Sequence, residues 1–98
     1  MKNLIEDLNK AFENRIRLGI MSVLMVNDWV GFTDMKDNLS LTDGNLASHL
    51  SALEKLDFIQ VRKQFIGKKP NTSYAATLAG RKAFNDHLDA LEKLINKR

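Results

Sequence analysis

Residues 40–54 read Ser40-Leu41-Thr42-Asp43-Gly44-Asn45-Leu46-Ala47-Ser48-His49-Leu50-Ser51-Ala52-Leu53-Glu54. Thr42 has the side chain of a helix N-cap, and the helix it opens is predicted to run to about Leu56. Leu46, Leu50, Leu53 and Leu56 recur at spacings of four, three and three, the period of a buried helical stripe. The opposite face then carries Thr42, Asp43, Gly44, Asn45, Ser48, His49 and Ala52. A helix with one leucine face and one small, polar face packs on its own domain and presents the remainder outward.

Working back along the chain, Ser40 and Leu41 make a tight turn. Before it, Thr33 is suited to cap a brief helix with Met35 and Leu39 on the inner side. Trp29-Val30-Gly31-Phe32 reads as a short extended link, the edge strand of a small sheet. Asn14 fits the N-cap of a helix to about Asn27, apolar nearly all round and therefore central. Leu4, Ile5, Leu8, Ala11 and Phe12 suggest a further amphipathic helix at the start. Working forward, residues 58–65 alternate as a strand. Ile66-Gly67-Lys68-Lys69-Pro70-Asn71 is turn chemistry, with Pro70 barring a sheet interior. Residues 72–76 return as the partner strand, and Thr77 can cap a long last helix ending near Ile95. A short helix, a tight turn, a second helix and a hairpin make a winged helix-turn-helix. The fold class is mainly α with a small β-hairpin (α+β), extended by a C-terminal helix. One domain over residues 1–98 is expected, with the helix-turn-helix at about 33–56, the wing at about 58–76 and the last helix at about 77–96.

Charge is unevenly spread. The 98 residues carry a net charge of +3, but residues 58–82 hold Arg62, Lys63, Lys68, Lys69, Arg81 and Lys82 with no acid. Residues 28–57 hold six acids against two bases. Such a basic stretch reads either as a solvated face or as an electrostatic footprint for a polyanion, and only its surroundings separate the two. Apolar residues make up 44% of the chain, enough for a modest core. With no cysteine, disulfides, thiolate metal sites and cysteine nucleophiles are excluded. The amphipathic, acidic start is unlike a signal peptide, and no stretch is apolar enough to span a bilayer, so a cytosolic protein without membrane contact is expected.

Three stretches resemble one family. Residues 41–54 are similar to the recognition helix of small MarR/ArsR-like winged-helix regulators. Phe65-Ile66-Gly67-Lys68-Lys69-Pro70-Asn71-Thr72-Ser73-Tyr74 resembles the wing of its compact single-domain branch. Thr77-Leu78-Ala79-Gly80-Arg81 is similar to the Leu-Thr-x-x-Gly-Arg entry into the last helix, with Ala76 in place of the leucine. Together with Asn14-Arg15-Ile16-Arg17 these matches cover most of residues 12–84. The resemblance implies a DNA-binding transcriptional regulator, usually dimeric. Two departures stand out: Asp57 occupies a position where the family commonly has glycine, and residues 42–53 contain no Arg or Lys.

On this reading double-stranded DNA is the partner. Thr42, Gly44, Asn45, Ser48 and His49 face the major groove, where Asn45 is able to pair bidentately with adenine. Gly44 is read either as close backbone approach to DNA or as a tolerated first-turn glycine. Arg62, Lys63, Lys68 and Lys69 on the wing follow the DNA backbone or enter the minor groove, and Arg15 at the start of the second helix meets phosphate. Phe84, Leu88, Leu91 and Ile95 repeat at four, three and four, the period of a coiled-coil seam, although in a single domain such a stripe is often core. With Leu4, Ile5 and Leu8 it is the expected homodimer interface. His49 and His87 fall on different helices, and His87 reads as a surface or interface residue. No catalytic constellation, cofactor motif or metal site is expected, and a small-molecule effector is possible but not indicated. The rival reading is a winged helix that binds another protein, favoured by the acidic 28–57 stretch.

Overall fold

Asn14 has an extended backbone (φ −91°, ψ 126°), and its side-chain oxygen accepts from the N–H groups of Ile16 and Arg17 at 2.9 and 3.1 Å. Two donors left open at a helix start are thereby satisfied. Helix α1 follows as Arg15–Met25, with Ile20, Met21 and Leu24 fully buried. The computed structural model describes residues 4–96. Ahead of α1 the expected amphipathic helix is instead two 3₁₀ turns, Leu4–Asp7 and Lys10–Phe12. Asn9 is the reason. Its side chain bonds the N–H of Ala11 at 2.9 Å, and its own N–H is drawn to His87 Nδ1 at 3.0 Å, so the α-helical ladder cannot pass through it.

Strand β1 (Val30–Gly31) pairs antiparallel with Tyr74 and Ser73, which holds Gly31 extended. Helix α2 (Phe32–Leu39) therefore begins two residues earlier than a Thr33 cap implies. Gly31 is its N-cap, without a side-chain bond, and Thr33 lies inside the first turn. Both helices of the helix-turn-helix end alike. After α2, Ser40 turns left-handed (φ 54°) and the N–H of Leu41 bonds Lys36 at 3.0 Å. After α3 (Asp43–Lys55), Asp57 is left-handed (φ 62°). The N–H of Phe58 then bonds Leu53 at 3.0 Å and that of Asp57 bonds Glu54 at 2.9 Å. These are Schellman closures, the second built on an aspartate where glycine is usual.

Within α3, Leu46, Leu50 and Leu53 are buried, each contributing roughly 1.5–3 kcal/mol of apolar transfer. Leu56, the fourth member of the expected stripe, is 50% exposed because it is the C-cap, where the chain leaves the helical path. The core joins these leucines to α1, Met35, Ile59 and an aromatic cluster. In that cluster Phe12 stacks on Phe58 at 5.6 Å and meets Phe84 edge-on at 5.3 Å.

Strands β2 (Ile59–Ile66) and β3 (Lys69–Ala76) form the hairpin, and the sheet order is β1-β3-β2. The expected six-residue turn is only two residues long. Gly67 at φ 65° and Lys68 at negative φ fit a type II′ turn, and Pro70 lies within the strand opposite Phe65. Alternation from a two-residue turn makes that pair non-hydrogen-bonded, so the N–H that proline lacks would have faced away from β2. β1 does not reach this part of β3, and no ladder bond is lost.

Thr77 joins the hairpin to helix α4 (Leu78–Asn96). Its hydroxyl bonds both the carbonyl of Asp57 (2.6 Å) and the N–H of Gly80 (2.9 Å). A Cβ at Gly80 would lie 2.0 Å from the carbonyl oxygen of Phe58. Arg81 donates to the carbonyls of Met25 (3.2 Å) and Leu24 (3.4 Å), which have no intrahelical donor at the end of α1. The Thr-x-x-Gly-Arg stretch is thus a joint: a cap, a backbone contact and a carbonyl clamp. Phe84, His87 and Ala90 bury the proximal part of α4. His87 is not the surface or interface residue expected from sequence. It is 4% exposed, lies 5.4 Å from the Phe12 ring, and accepts the Asn9 N–H.

Candidate nucleic-acid interface

The outward face of α3 follows from the inward one. With Leu46, Leu50 and Leu53 packed, Thr42, Gly44, Asn45 and Ser48 are exposed and His49 is half-buried. Thr42 caps the helix, its hydroxyl accepting from Asn45 N–H at 3.2 Å. The Asn45 side chain stays free of that bond. Nothing lies within 4 Å of a Cβ built on Gly44, so no neighbour within the chain calls for glycine there. Asp43 pairs with Lys36 of α2 at 2.9 Å, which offsets the one acid on this face. The bond to Asp43 and the charge of its carboxylate hold the Lys36 ammonium above its ordinary pKa.

His49 is oriented by a residue of the Asn14-Arg15-Ile16-Arg17 stretch. Arg17 Nη1 lies 3.1 Å from His49 Nδ1, and Arg17 Nε donates to the carbonyl of Ala11 at 2.7 Å. A guanidinium only donates, so Nδ1 is the acceptor and the proton of neutral His49 sits on Nε2. The ring offers a donor on the side away from Arg17. No spacing rule links positions 17 and 49; only the packing of α1 on α3 joins them. Arg15 is exposed and lines a shallow open cleft with Ile16, Gly19, Leu39 and Leu41, beside the turn that leads into α3.

On the hairpin, residues 62–70 are all exposed. Lys63, Lys68 and Lys69 form no ion pair among the described residues. Arg62 differs: its guanidinium carbon sits 4.1 Å from the Trp29 ring centroid, a cation–π contact on the sheet face that also carries Ser73. Arg81, counted in the basic stretch, is spent on the joint. The surface charge of the wing therefore rests on three lysines and one stacked arginine.

At the far side, Leu88, Leu91 and Ile95 are 44%, 36% and 62% exposed along α4, and Ile5 is 61% exposed. Leu4 and Leu8 are half-buried. Phe84, the first member of the expected seam, is 5% exposed and belongs to the chain's own core, because α4 still lies against Phe12 at that turn. Among the described residues no group of three acid, His or Cys side chains is arranged to hold a metal, and no helix is long and apolar enough to cross a membrane.

A helix, a left-handed turn, a second helix with a polar outward face and a lysine-bearing hairpin define a winged helix-turn-helix. The chain belongs to the winged helix DNA-binding domain family, which it matches over residues 16–95. It is 34% identical over 79 residues to an uncharacterized protein of Methanocaldococcus jannaschii, covering 81% of this chain and 86% of that protein. The structure of a transcriptional regulator homologue from Pyrococcus horikoshii OT3 is similar along nearly its whole length. Its TM-score is 0.88 at 31% identity, covering 99% of this chain and 97% of that one. A MarR-family regulator from Rhodococcus sp. RHA1 shares the fold at 15% identity, with a TM-score of 0.69, covering 96% of this chain and 69% of that one. The MarR-like resemblance carried by the recognition helix, wing and joint is borne out in the fold.

Proposed function

We propose that the protein is a homodimeric, sequence-specific regulator of transcription. The N-terminal half of α3 enters the major groove, where Asn45, Ser48 and the Nε2–H of His49 meet base edges, with Thr42 and Gly44 at the point of closest approach. Lys63, Lys68 and Lys69, with Arg62 behind them and Arg15 beside the turn, hold phosphates. Two copies join through Leu88, Leu91 and Ile95 of α4 and the Leu4, Ile5 and Leu8 segment, giving paired α3 helices for a palindromic site. The observation that carries the reading is the pairing of an acid-free, lysine-bearing arm with a helix whose outward face is small and polar.

A gel-shift titration on duplex DNA across a salt series tests it. Binding should weaken steeply with salt, and Lys68→Ala with Lys69→Ala should lower the log–log slope by about 2, since each phosphate contact contributes about 0.9. The loss should be similar on every sequence, because phosphate contacts carry no sequence information. Binding that is absent, or indifferent to salt, would favour the protein-binding reading instead.

A further inference from the structure

The end of the wing carries more apolar surface than a phosphate clamp requires. Phe65 is 73% exposed and Ile66 64%, and the two are adjacent at the tip of the arm. By strand alternation Phe65 lies on the sheet face of Ile59 and Val61, which pack into the core nearer the base, while Ile66 lies on the opposite face. Pro70 sits opposite Phe65 and Lys69 opposite Ile66. The arm extends five residues past Val61, about 17 Å at 3.3 Å per residue. Its tip therefore has apolar surface on both faces and lysines at the turn. A type II′ turn at Gly67 and the fixed φ of Pro70 stiffen it.

A protein partner would cover one face of such a blade. Contact on both faces, with cations at the rim, fits a narrow cleft with apolar walls and an anionic edge, as in the minor groove of DNA. That groove is about 6 Å wide, walled by sugars and edged by phosphates. Residues 65–70 carry no guanidinium and no side-chain amide to read base edges; the nearest amides, Gln64 and Asn71, sit one pair further down the hairpin. What the tip can read is how readily a base step opens.

We propose that Phe65 and Ile66 form a wedge that enters the minor groove beside the site bound by α3, unstacks a flexible base step and bends the duplex. The proposal rests on the DNA-binding reading and assigns the wing a second task, selection by deformability. Pyrimidine–purine steps unstack most easily, whereas A-tracts resist, so TA or CA steps at the wing position should be preferred.

The test uses end-labelled duplexes of about 30 base pairs, long enough for a bend to be read. They carry either a TA step or an A-tract and are titrated with the full chain at fixed salt while end-to-end energy transfer is followed. The wild type should bend the TA duplex by roughly 20–90° and prefer it over the A-tract by about tenfold. Phe65→Ala should bind both duplexes equally with little bend and an unchanged salt slope, and Phe65→Leu should retain both properties. Because position 65 is exposed, these variants keep the core intact, which circular dichroism checks. Wild-type bending and preference in Phe65→Ala would overturn the wedge, as would an altered oligomeric mass with bending intact. Salt-dependent binding by the wild type without any bend removes the wedge and leaves DNA binding standing. No salt-dependent binding to either duplex removes both.

Discussion

Gly44 and Gly80 are both helical glycines, and what a methyl group would meet separates them. At Gly80 a Cβ collides with the Phe58 carbonyl. Gly80→Ala must therefore push α4 off the hairpin, costing about 1–3 kcal/mol or more, measurable as a lower midpoint in denaturant. At Gly44 there is open space, and alanine should stabilise α3 by up to about 1 kcal/mol. If the DNA backbone passes close to Gly44, the same substitution weakens DNA binding while raising the melting temperature. Equal affinity would mark the glycine as merely tolerated. The caps at Asn14, Thr42 and Thr77 were legible in the sequence because each acts within three residues of itself. Arg17, Arg62 and His87 were not legible, since their partners are His49, Trp29 and Asn9, and such pairings exist only after packing.

Among the elements, α3 was legible as a helix packed on its own domain, because burial by three leucines outweighs any local alternative. The N-terminal segment misled for the converse reason. Its apolar spacing is helical, but a single asparagine, its side chain accepting from the Ala11 N–H and its own N–H donating to a buried histidine, outcompetes a short helix with little propagation to gain. The hairpin turn misled because proline is unfavourable only where its N–H is needed, and at position 70 it is not. His87 holds that N-terminal segment to α4. His87→Leu should leave the Asn9 N–H without its acceptor at a cost of about 1–3 kcal/mol. Hydrogen exchange should then quicken at Asn9 and its neighbours while the amides of α3 keep their protection. Uniform quickening throughout would mean that the ring matters to the whole core instead.

The molecule as a whole is long and narrow, 58 × 25 × 21 Å, with α4 alone about 28 Å by its 19 residues. Beyond Ala90 no residue of α4 is buried. In the proposed dimer Leu88, Leu91 and Ile95 are covered by a second copy, so Leu88→Glu with Leu91→Glu should yield a folded monomer by sedimentation. Its DNA affinity should fall sharply through loss of paired binding. A dimeric mass in that variant would move the interface elsewhere. The apolar period of α4 was plain in the sequence, but its first member, Phe84, belongs to the core, and periodicity alone does not say where a helix leaves its own domain.

The joint at residues 77–81 bears on more than stability. One threonine hydroxyl, one glycine and one guanidinium fix the direction in which α4 departs from the hairpin and from α1. In a dimer built on α4 that angle acts as a ruler, because it sets how far apart the two copies of α3 stand along the DNA axis. A small change at the joint would be amplified over the length of the helix into a different spacing between half-sites. Related chains with altered residues at these positions would be expected to differ in the gap of their operators before they differ in the bases they read.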